Sequence, residues 1–513
     1  MISRLKKYWE EQPLVLIMLL SVIFRMIAVI FAKGWGMFDD HFIVIESSGS
    51  WTAGHDYNDW LPGSKLNHGP TGHNFFYPGL HYLLFSLLNL TGVSDPQVKM
   101  LIVRFLHGCL SLITVWVGYR LAEQLEGKKV ARITGLLLAI LWFMPWMSVR
   151  NLVEMTSIPF LMLAYWMMLG DRKRKSLFLS FFVAGFFFGL AFNIRPQTVF
   201  FPLGAGIVIL FQKKWRELIA LTLGSVFMVV LIQGGIDYFI WGKPFAEMLA
   251  YVDVCFTERN DYISLPWYNY FLTIGGLLIP PVSLFLMYGF ARKWKKYLII
   301  FVPVMLFFIF HSYFPNKQER FILPMIPFLI LVGVSGWEEF VNCSTFWKKH
   351  RVLLHSCWIF FWVINTILLV VFSFTYSKKA RVEAMTYLSK YSDIKAIAVV
   401  DEHNDPELMP KFYLNQWPLC YSEISKDLSA DSILATAALP CYQPPRFILF
   451  TGDKNIRPLV EKARVYFPRL VYETTIEPGF IDRFVHWLNP VNKNRRIFIY
   501  RNAALIPEET IKD

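Results

Sequence analysis

The chain has 513 residues, of which 55% are hydrophobic, 17% aromatic and only 17% charged, against roughly 25% charged in soluble domains. The apolar residues come in long blocks, which excludes a water-soluble or disordered chain and points to a polytopic α-helical membrane protein. The formal net charge of +13 sits mostly in short loops between these blocks, so it reads as membrane topology and no nucleic-acid partner is expected.

In chain order, Arg4, Lys6 and Lys7 precede the first apolar span, Pro13–Phe31. That span lacks a small-residue cleavage site and is expected to stay as a full-length helix. Further basic clusters stand at Lys128–Arg132, Arg172–Lys175, Lys213–Arg216, Arg292–Lys296 and Lys348–Arg351. If each is cytoplasmic, eleven spans follow with the amino terminus inside and the carboxy terminus outside. They are placed at Pro13–Phe31, Val98–Leu121, Val130–Trp146, Leu152–Leu169, Leu177–Phe192 and Val199–Phe211. The rest are Leu218–Ile240, Tyr270–Phe290, Tyr297–Phe310, Ile322–Trp337 and Val352–Phe374. Several are shorter than the roughly 20 residues of a straight crossing. Lys128, Arg172 and Lys293 then face the cytoplasm, and His68, Asn260 and everything after Phe374 face out. Residues 33–97 form one external loop in which Tyr77–Leu90, apolar with aromatics, is expected to lie at the interface.

Residues 1–376 are thus read as a membrane domain and residues 377–513 as a small extracytoplasmic α/β domain. The latter has strand-like runs at Ala396–Val400, Phe447–Phe450 and Ile497–Tyr500, with a helical pattern at Arg457–Tyr466. Cys109 and Cys357 fall in spans and Cys255 and Cys343 are isolated. Cys420 and Cys441 share the outer domain, where a disulfide suits an oxidising compartment. No metal-ligand spacing, phosphate-cradling Gly-rich loop or nucleotide fingerprint is present, so neither a metal nor a cofactor is expected.

The external side collects the chemistry. Asp39 and Asp40 stand just after the first span, and Glu46 follows Asp39 by seven residues, close to two helical turns, so that the two suit one helix face. Arg150 and Glu154, four apart, suit an ion pair on a helix. Arg195 sits at a membrane edge before the helix-breaking Pro196, placed either to snorkel or to hold a phosphate. Asp237 opens the next external segment, which closes on Trp267 and Tyr268; an aromatic belt explains most of its rings. In Asn316-Lys317-Gln318-Glu319-Arg320-Phe321, Lys317 and Arg320 are three apart and suit one target. Acids that take a proton and cations that hold a phosphate therefore share one compartment.

Asp39-Asp40-His41-Phe42 with Glu46 resembles the Asp-Glu-x-Phe/Trp-(x)3-Glu pattern of the lipid-linked-sugar-dependent α-mannosyltransferases, glycosyltransferase family 22, which build N-glycans and GPI anchors and share the GT-C fold. Asn316–Phe321 is similar to that family's His-Lys-Glu-x-Arg-Phe motif. Asp237-Tyr238 with Gly242-Lys243, followed by Pro266-Trp267-Tyr268, is similar to its middle luminal loop, and Arg195-Pro196 and Tyr77-Pro78 have counterparts. The likeness covers Pro13 to Trp337; in the outer domain only Arg495-Arg496 before a strand adds to it. Asp40 stands where the family has Glu, Asn316 for its His and Gln318 for its Glu, the marks of a divergent member.

The resemblance implies a GT-C transferase that moves a hexose, mannose in the family, from a polyprenyl- or dolichyl-phosphate donor to a hydroxyl of a glycan or glycolipid acceptor. Inversion would give an α-linkage. Asp39 is then the expected base, with Asp40 second, and Lys317, Arg320 and Arg195 hold the donor phosphate. Glu46, Glu319, Trp267, Tyr268, Asp237 and Arg150 complete the expected substrate-binding set. Two rivals compete with this reading. A transporter or flippase of lipid-linked sugars requires charges deep in the spans and inverted repeats, and neither is read here. A GT-C transferase of the aminoarabinose or protein-O-mannosyl branch would share the first-loop acids but lack the Asn316–Phe321 stretch.

Overall fold

The structure is a computed structural model that describes residues 2–64, 69–170, 176–257, 264–403, 408–429, 441, 443–453 and 456–505, with backbone alone for 2–6 and 256. His68, Asn260 and the Arg172–Lys175 cluster lie outside the described residues. The chain divides into two compact units. The first takes Met1–Ile30, Asp59–Leu80 and Val103–Phe374; the second takes Phe31–Asn58, His81–Ile102 and Thr375–Asp513. The end of the first unit falls two residues before the boundary expected at 376, whereas the first-loop acids cluster with the C-terminal segment.

The first unit is helical. Among the described residues, Pro13–Phe31, Pro96–Glu126, Leu177–Ile194, Trp215–Trp241, Glu319–Cys343 and Arg351–Ser373 are each long and apolar enough to cross a membrane, making six. A seventh is counted if Asn269–Leu277 and Val282–Arg292, bent by 117°, form one broken span. Val153–Leu169, Pro196–Phe211 and Leu298–Tyr313 are shorter apolar helices, and Val130–Trp146 is interrupted between helices Lys128–Ile140 and Phe143–Ser148. Every expected span is therefore helical, but a count of eleven crossings does not follow from helix length and composition.

One expectation fails outright, because a charge does lie deep in a span. Arg25, midway along Pro13–Phe31, is buried. It donates to Ser21 Oγ (2.5 Å), Ser111 Oγ (2.7 Å) and the Ala139 carbonyl (2.9 Å). A guanidinium clasped by two hydroxyls and a carbonyl from three helices is a packing device. It gives no support to a transport pathway.

Helices Val282–Arg292 and Ile326–Cys343 cross with their backbones nearly touching. A Cβ on Gly289 would stand 2.0 Å from the Gly333 carbonyl oxygen, and one on Gly336 would stand 2.0 Å from the Gly289 carbonyl oxygen. Close approach of small residues is how helices gain dispersion contact where no hydrophobic drive separates them from lipid.

The second unit carries a five-stranded sheet in the order β2-β1-β3-β5-β4, made of β1 (Ala396–Asp401), β2 (Cys420–Ile424), β3 (Phe447–Gly452), β4 (Leu470–Ile476) and β5 (Arg496–Asn502). β1 pairs in parallel with β2 and β3, while β5 runs antiparallel to β3 and β4. β1 and β3 are buried throughout, as their unbroken apolar sequence requires. Ala398, Val400, Ile448 and Phe450 pack against Val460 and Ala463 of the Arg457–Arg464 helix. β2 and β4 escape the sequence reading because one is short and the other keeps most residues partly exposed. Cys420 and Cys441 are disulfide-bonded.

Gly289→Val is expected to destabilise the first unit by about 1–3 kcal/mol through overpacking, seen as a lower midpoint of thermal unfolding in detergent. Gly275→Ala, whose added Cβ meets nothing within 4 Å, should leave the midpoint near wild type. Equal midpoints for all three proteins would rule out the crossing as a determinant of stability.

Candidate active site

In the second unit the first-loop acids sit on two short helices, Phe38–Phe42 and Ile45–Thr52. The break at Ile43–Val44 overturns the expectation that Asp39 and Glu46 share one helix face. Asp40 is buried and reaches back to accept from the backbone N–H groups of Gly36 (2.9 Å) and Met37 (3.3 Å). This is the reciprocal link that fixes a helix start. Asp39, one residue earlier, is half-buried.

Glu46 is fully buried and pairs with His41 Nε2 at 3.0 Å. It also accepts the Phe412 N–H, 3.0 Å from each carboxylate oxygen. The His41 ring lies between Trp35 (4.7 Å, stacked) and Tyr413 (5.5 Å, stacked). Arg381 covers the Trp35 ring at 4.9 Å. Burial lowers the Lys411 pKa, while the nearby Glu46 charge acts to raise it. Gly34 makes the sharp entry to this loop: its φ is +75° and a Cβ there would lie 1.8 Å from the Ser377 carbonyl oxygen. The acids are thus ordered by the C-terminal segment, with Glu46 and Asp40 as fixed posts and Asp39 as the more accessible carboxylate.

In the first unit the cations gather on one carboxylate. Glu154, in the first turn of Val153–Leu169, forms an ion pair with Arg195 and lies 3.6 Å from Arg320 Nε. Arg320 Nε also donates to Gln318 Oε1 (2.8 Å), and the Gln318 carbonyl accepts from Tyr270 OH (3.2 Å). Both guanidinium groups lie over the Phe321 ring, at 5.0 and 5.3 Å. Arg195, Arg320 and Lys317 are all buried. Lys317 Nζ donates to the Phe314 carbonyl (2.6 Å), so it does not share the immediate target of Arg320. Burial lowers the Lys317 pKa. The hydrogen bond from Leu265 N–H to the Pro315 carbonyl (3.4 Å) ties its loop to the segment after residue 263.

Glu154 has another partner than the one expected. Arg150 precedes the helix that carries Glu154, so the two do not share a helix face, and its guanidinium lies over Trp146 at 4.6 Å. The acid that organises the cations was thus visible in sequence only as half of a local pair. Among the described residues, Glu154 Oε2 and Arg195 Nε, both buried, have no hydrogen-bond partner.

Asp237 accepts from Gln233 Nε2 (2.9 Å) and from the Glu247 N–H (3.0 Å). Glu247 Oε2 in turn accepts the N–H groups of Thr71 (3.0 Å), Gly72 (2.7 Å) and His73 (3.0 Å). Asp237 and Glu247 therefore form a relay of backbone anchors holding residues 71–73. Reasoning from sequence missed Glu247, whose three backbone donors, joined by Trp241 Nε1 at 2.8 Å, leave no recognisable pattern. Trp267 and Tyr268 are exposed and pack edge to face at 5.9 Å, and Glu319 is exposed. No group of three or more potential metal ligands occurs among the described residues.

The Alg9-like mannosyltransferase family model matches residues 15–446. GPI alpha-1,2-mannosyltransferase 3 of Bos taurus is 25% identical over 62% of this chain and 57% of its own length. The Homo sapiens protein of the same name is 23% identical over 69% and 61%. The chain therefore spans less than two thirds of these relatives. The probable Dol-P-Man:Man(7)GlcNAc(2)-PP-Dol alpha-1,6-mannosyltransferase of Schizosaccharomyces pombe is 33% identical over 28% of this chain and 27% of its own. Among solved structures, ArnT from Cupriavidus metallidurans bound to undecaprenyl phosphate superposes with a TM-score of 0.60 at 14% identity, covering 97% of this chain and 99% of its own. Archaeal oligosaccharyltransferase AglB from Archaeoglobus fulgidus gives a TM-score of 0.50 at 12% identity, covering 87% and 70%. The fold is that of these GT-C proteins, and with a family model matched over most of its length, the chain belongs to the Alg9-like mannosyltransferase family.

Proposed function

We propose that the protein is an integral-membrane glycosyltransferase that moves a hexose, mannose by analogy with its relatives' names, from a polyprenyl- or dolichyl-phosphate donor to a hydroxyl of a glycan or glycolipid acceptor. The observation that carries the reading is the buried cation cluster on the Asn316–Phe321 stretch. Arg195, Arg320 and Lys317 supply three positive charges, set against the buried carboxylate of Glu154 and the exposed one of Glu319, so cations remain in excess. Gln318 adds no charge where the family's motif has a second acid. A cationic excess in a water-poor site suits a departing phosphate. The matching family model extends through that stretch and favours this branch over the aminoarabinose or protein-O-mannosyl alternative.

The transfer is a single displacement. The acceptor hydroxyl oxygen bonds to the anomeric carbon as the bond from that carbon to the phosphate oxygen breaks. The lipid monophosphate leaves with the electron pair, and the hydroxyl proton passes to a carboxylate. A β-linked donor then gives an α-glycoside. Asp39 is the base in this scheme: it is half-buried and so more accessible to an acceptor than Asp40 and Glu46, which are buried. In the first unit Asp237 acts through Glu247 on residues 71–73, and the exposed Trp267, Tyr268 and Glu319 and the buried Arg150 are assigned to substrate; in the second unit Glu46 braces the loop that carries Asp39.

We place the amino terminus and the basic loops at Lys128 and Lys293 in the cytoplasm, and the domain after Phe374 outside, on charge bias. Single cysteines introduced at the exposed Lys295 and Lys462 of an otherwise cysteine-depleted variant should be labelled by impermeant reagents from opposite sides. Labelling of both from one side would reject the arrangement.

Lys317→Ala is expected to weaken donor binding by roughly 10- to 100-fold, the loss of one charge-assisted contact at about 1.5–3 kcal/mol. The ammonium is the binding form, and burial puts the Lys317 pKa below the ordinary 10.5. Donor affinity should therefore fall with rising pH, starting below the pH at which an ordinary lysine deprotonates. A pH-independent affinity up to that value, measured by titration of a dolichyl-phosphate sugar, removes Lys317 from the phosphate site.

Purified protein given a panel of polyprenyl- and dolichyl-phosphate sugars with acceptor should release lipid phosphate. Asp39→Asn should lower turnover at saturating donor by roughly 100-fold or more, the scale of a lost general base, with donor binding near wild type. Asp40→Asn should act instead through stability of the Phe38–Phe42 turn. Near-normal turnover of Asp39→Asn overturns the assignment, and failure to release lipid phosphate from any donor overturns the transferase reading.

A further inference from the structure

The first unit holds a cavity of about 450 Å³, remote from the cation cluster. Helix Ile326–Cys343 starts beside that cluster and reaches the cavity at Glu338, twelve residues on, roughly 18 Å at the helical rise. The cavity lies at the end of the unit that carries the ion pairs of Lys293 with Glu126 (3.5 Å) and Lys296 with Glu126 (2.7 Å). Its volume falls in the range of small-molecule sites, about 300–1,000 Å³.

Its lining is graded along one direction. Arg351, His355, Trp358 and Trp362 are spaced by four, three and four residues, so they share one face of the Arg351–Ser373 helix and all line the cavity. The face begins in charge and ends in tryptophan over eleven residues, roughly 16 Å. The opposing Lys128–Ile140 helix repeats the gradient, with Lys129 at its start and Ile133 and Leu136 deeper. Lys348 adds a cation at the mouth, where the ion pair between Lys129 and Glu338 leaves a surplus of two positive charges from Lys348 and Arg351. Trp347 forms part of the wall, held edge-on against Trp337 (5.4 Å) and Phe285 (5.7 Å).

We infer that this groove is a binding site for an anionic glycerophospholipid. Its phosphate and headgroup would lie against Lys348 and Arg351, and an acyl chain would run along Leu136, Trp358 and Trp362. The charge gradient matches the ligand's own order of charged head and apolar tail, and basic pockets between membrane helices hold acidic headgroups in this way. The site uses no residue assigned to sugar transfer, so it stands or falls apart from that reading.

The test titrates delipidated protein in mild detergent with phosphatidylglycerol or phosphatidylcholine and counts retained lipid by native mass spectrometry. One phosphatidylglycerol per chain should be retained, with at least tenfold weaker retention in Lys348→Gln/Arg351→Gln and recovery in Lys348→Arg/Arg351→Lys. Both residues are exposed, so the fold should tolerate either pair of changes. Equal retention of phosphatidylcholine, unchanged retention in the Gln variant, or displacement of phosphatidylglycerol by an equal amount of undecaprenyl phosphate each overturns the proposal.

Discussion

The first unit depends on a buried imbalance of charge. Moving ions out of water costs several kcal/mol each, and only close pairing and hydrogen bonding offset it. Glu154 is the acid that lies against both Arg195 and Arg320. Each of the three stands where a helix starts or stops. Glu154 is in the first turn of Val153–Leu169, where a carboxylate also complements the helix dipole. Arg195 is the hinge between Leu177–Ile194 and the turn from Pro196, and Arg320 lies in the tight turn that opens the Ile326–Cys343 helix. Helix ends from distant parts of the chain are thereby brought to one point, and the incomplete neutralisation that remains suits that point to an anion.

The second unit satisfies its buried acids with a ring nitrogen and backbone N–H groups. Glu46 is satisfied by an imidazole and a backbone N–H, and that imidazole is clamped between two aromatic rings. Asp40 is satisfied by two backbone donors. In the second unit the most deeply buried acids, Asp40 and Glu46, hold local structure.

Much of this was legible in the sequence, for reasons that can be named. Long apolar runs give helices wherever they fall, and unbroken Ala396–Val400 and Phe447–Phe450 give the central strands, because these signals are local and periodic. The cations Arg195, Lys317 and Arg320 were legible as charges at helix edges. Their shared counter-charge was not, since Glu154 sits opposite two partners 41 and 166 positions away, and its spacing from Arg150 suggested a nearer one. Arg25 was passed over because a lone cation in an apolar run gives no hint that Ser111 and the Ala139 carbonyl will meet it. Glu247 was missed because three of its donors are backbone amides, which have no residue type, from a segment more than 170 positions away.

The hydrogen bond from Phe412 N–H to Glu46 closes a span of 366 residues. At the usual 5–20 residues per second, a ribosome needs roughly 20–70 s to make the intervening chain. Through that interval the first loop has left the membrane without the strands and rings that will order it, and Glu46 has no Phe412 to bind. The order of synthesis therefore makes the carboxylates after the first span among the earliest parts made and the last to be set in place. A nascent chain can complete its helical bundle well before it can hold Asp39 in its final position, so truncation within the C-terminal domain should be felt first at the opposite end of the sequence.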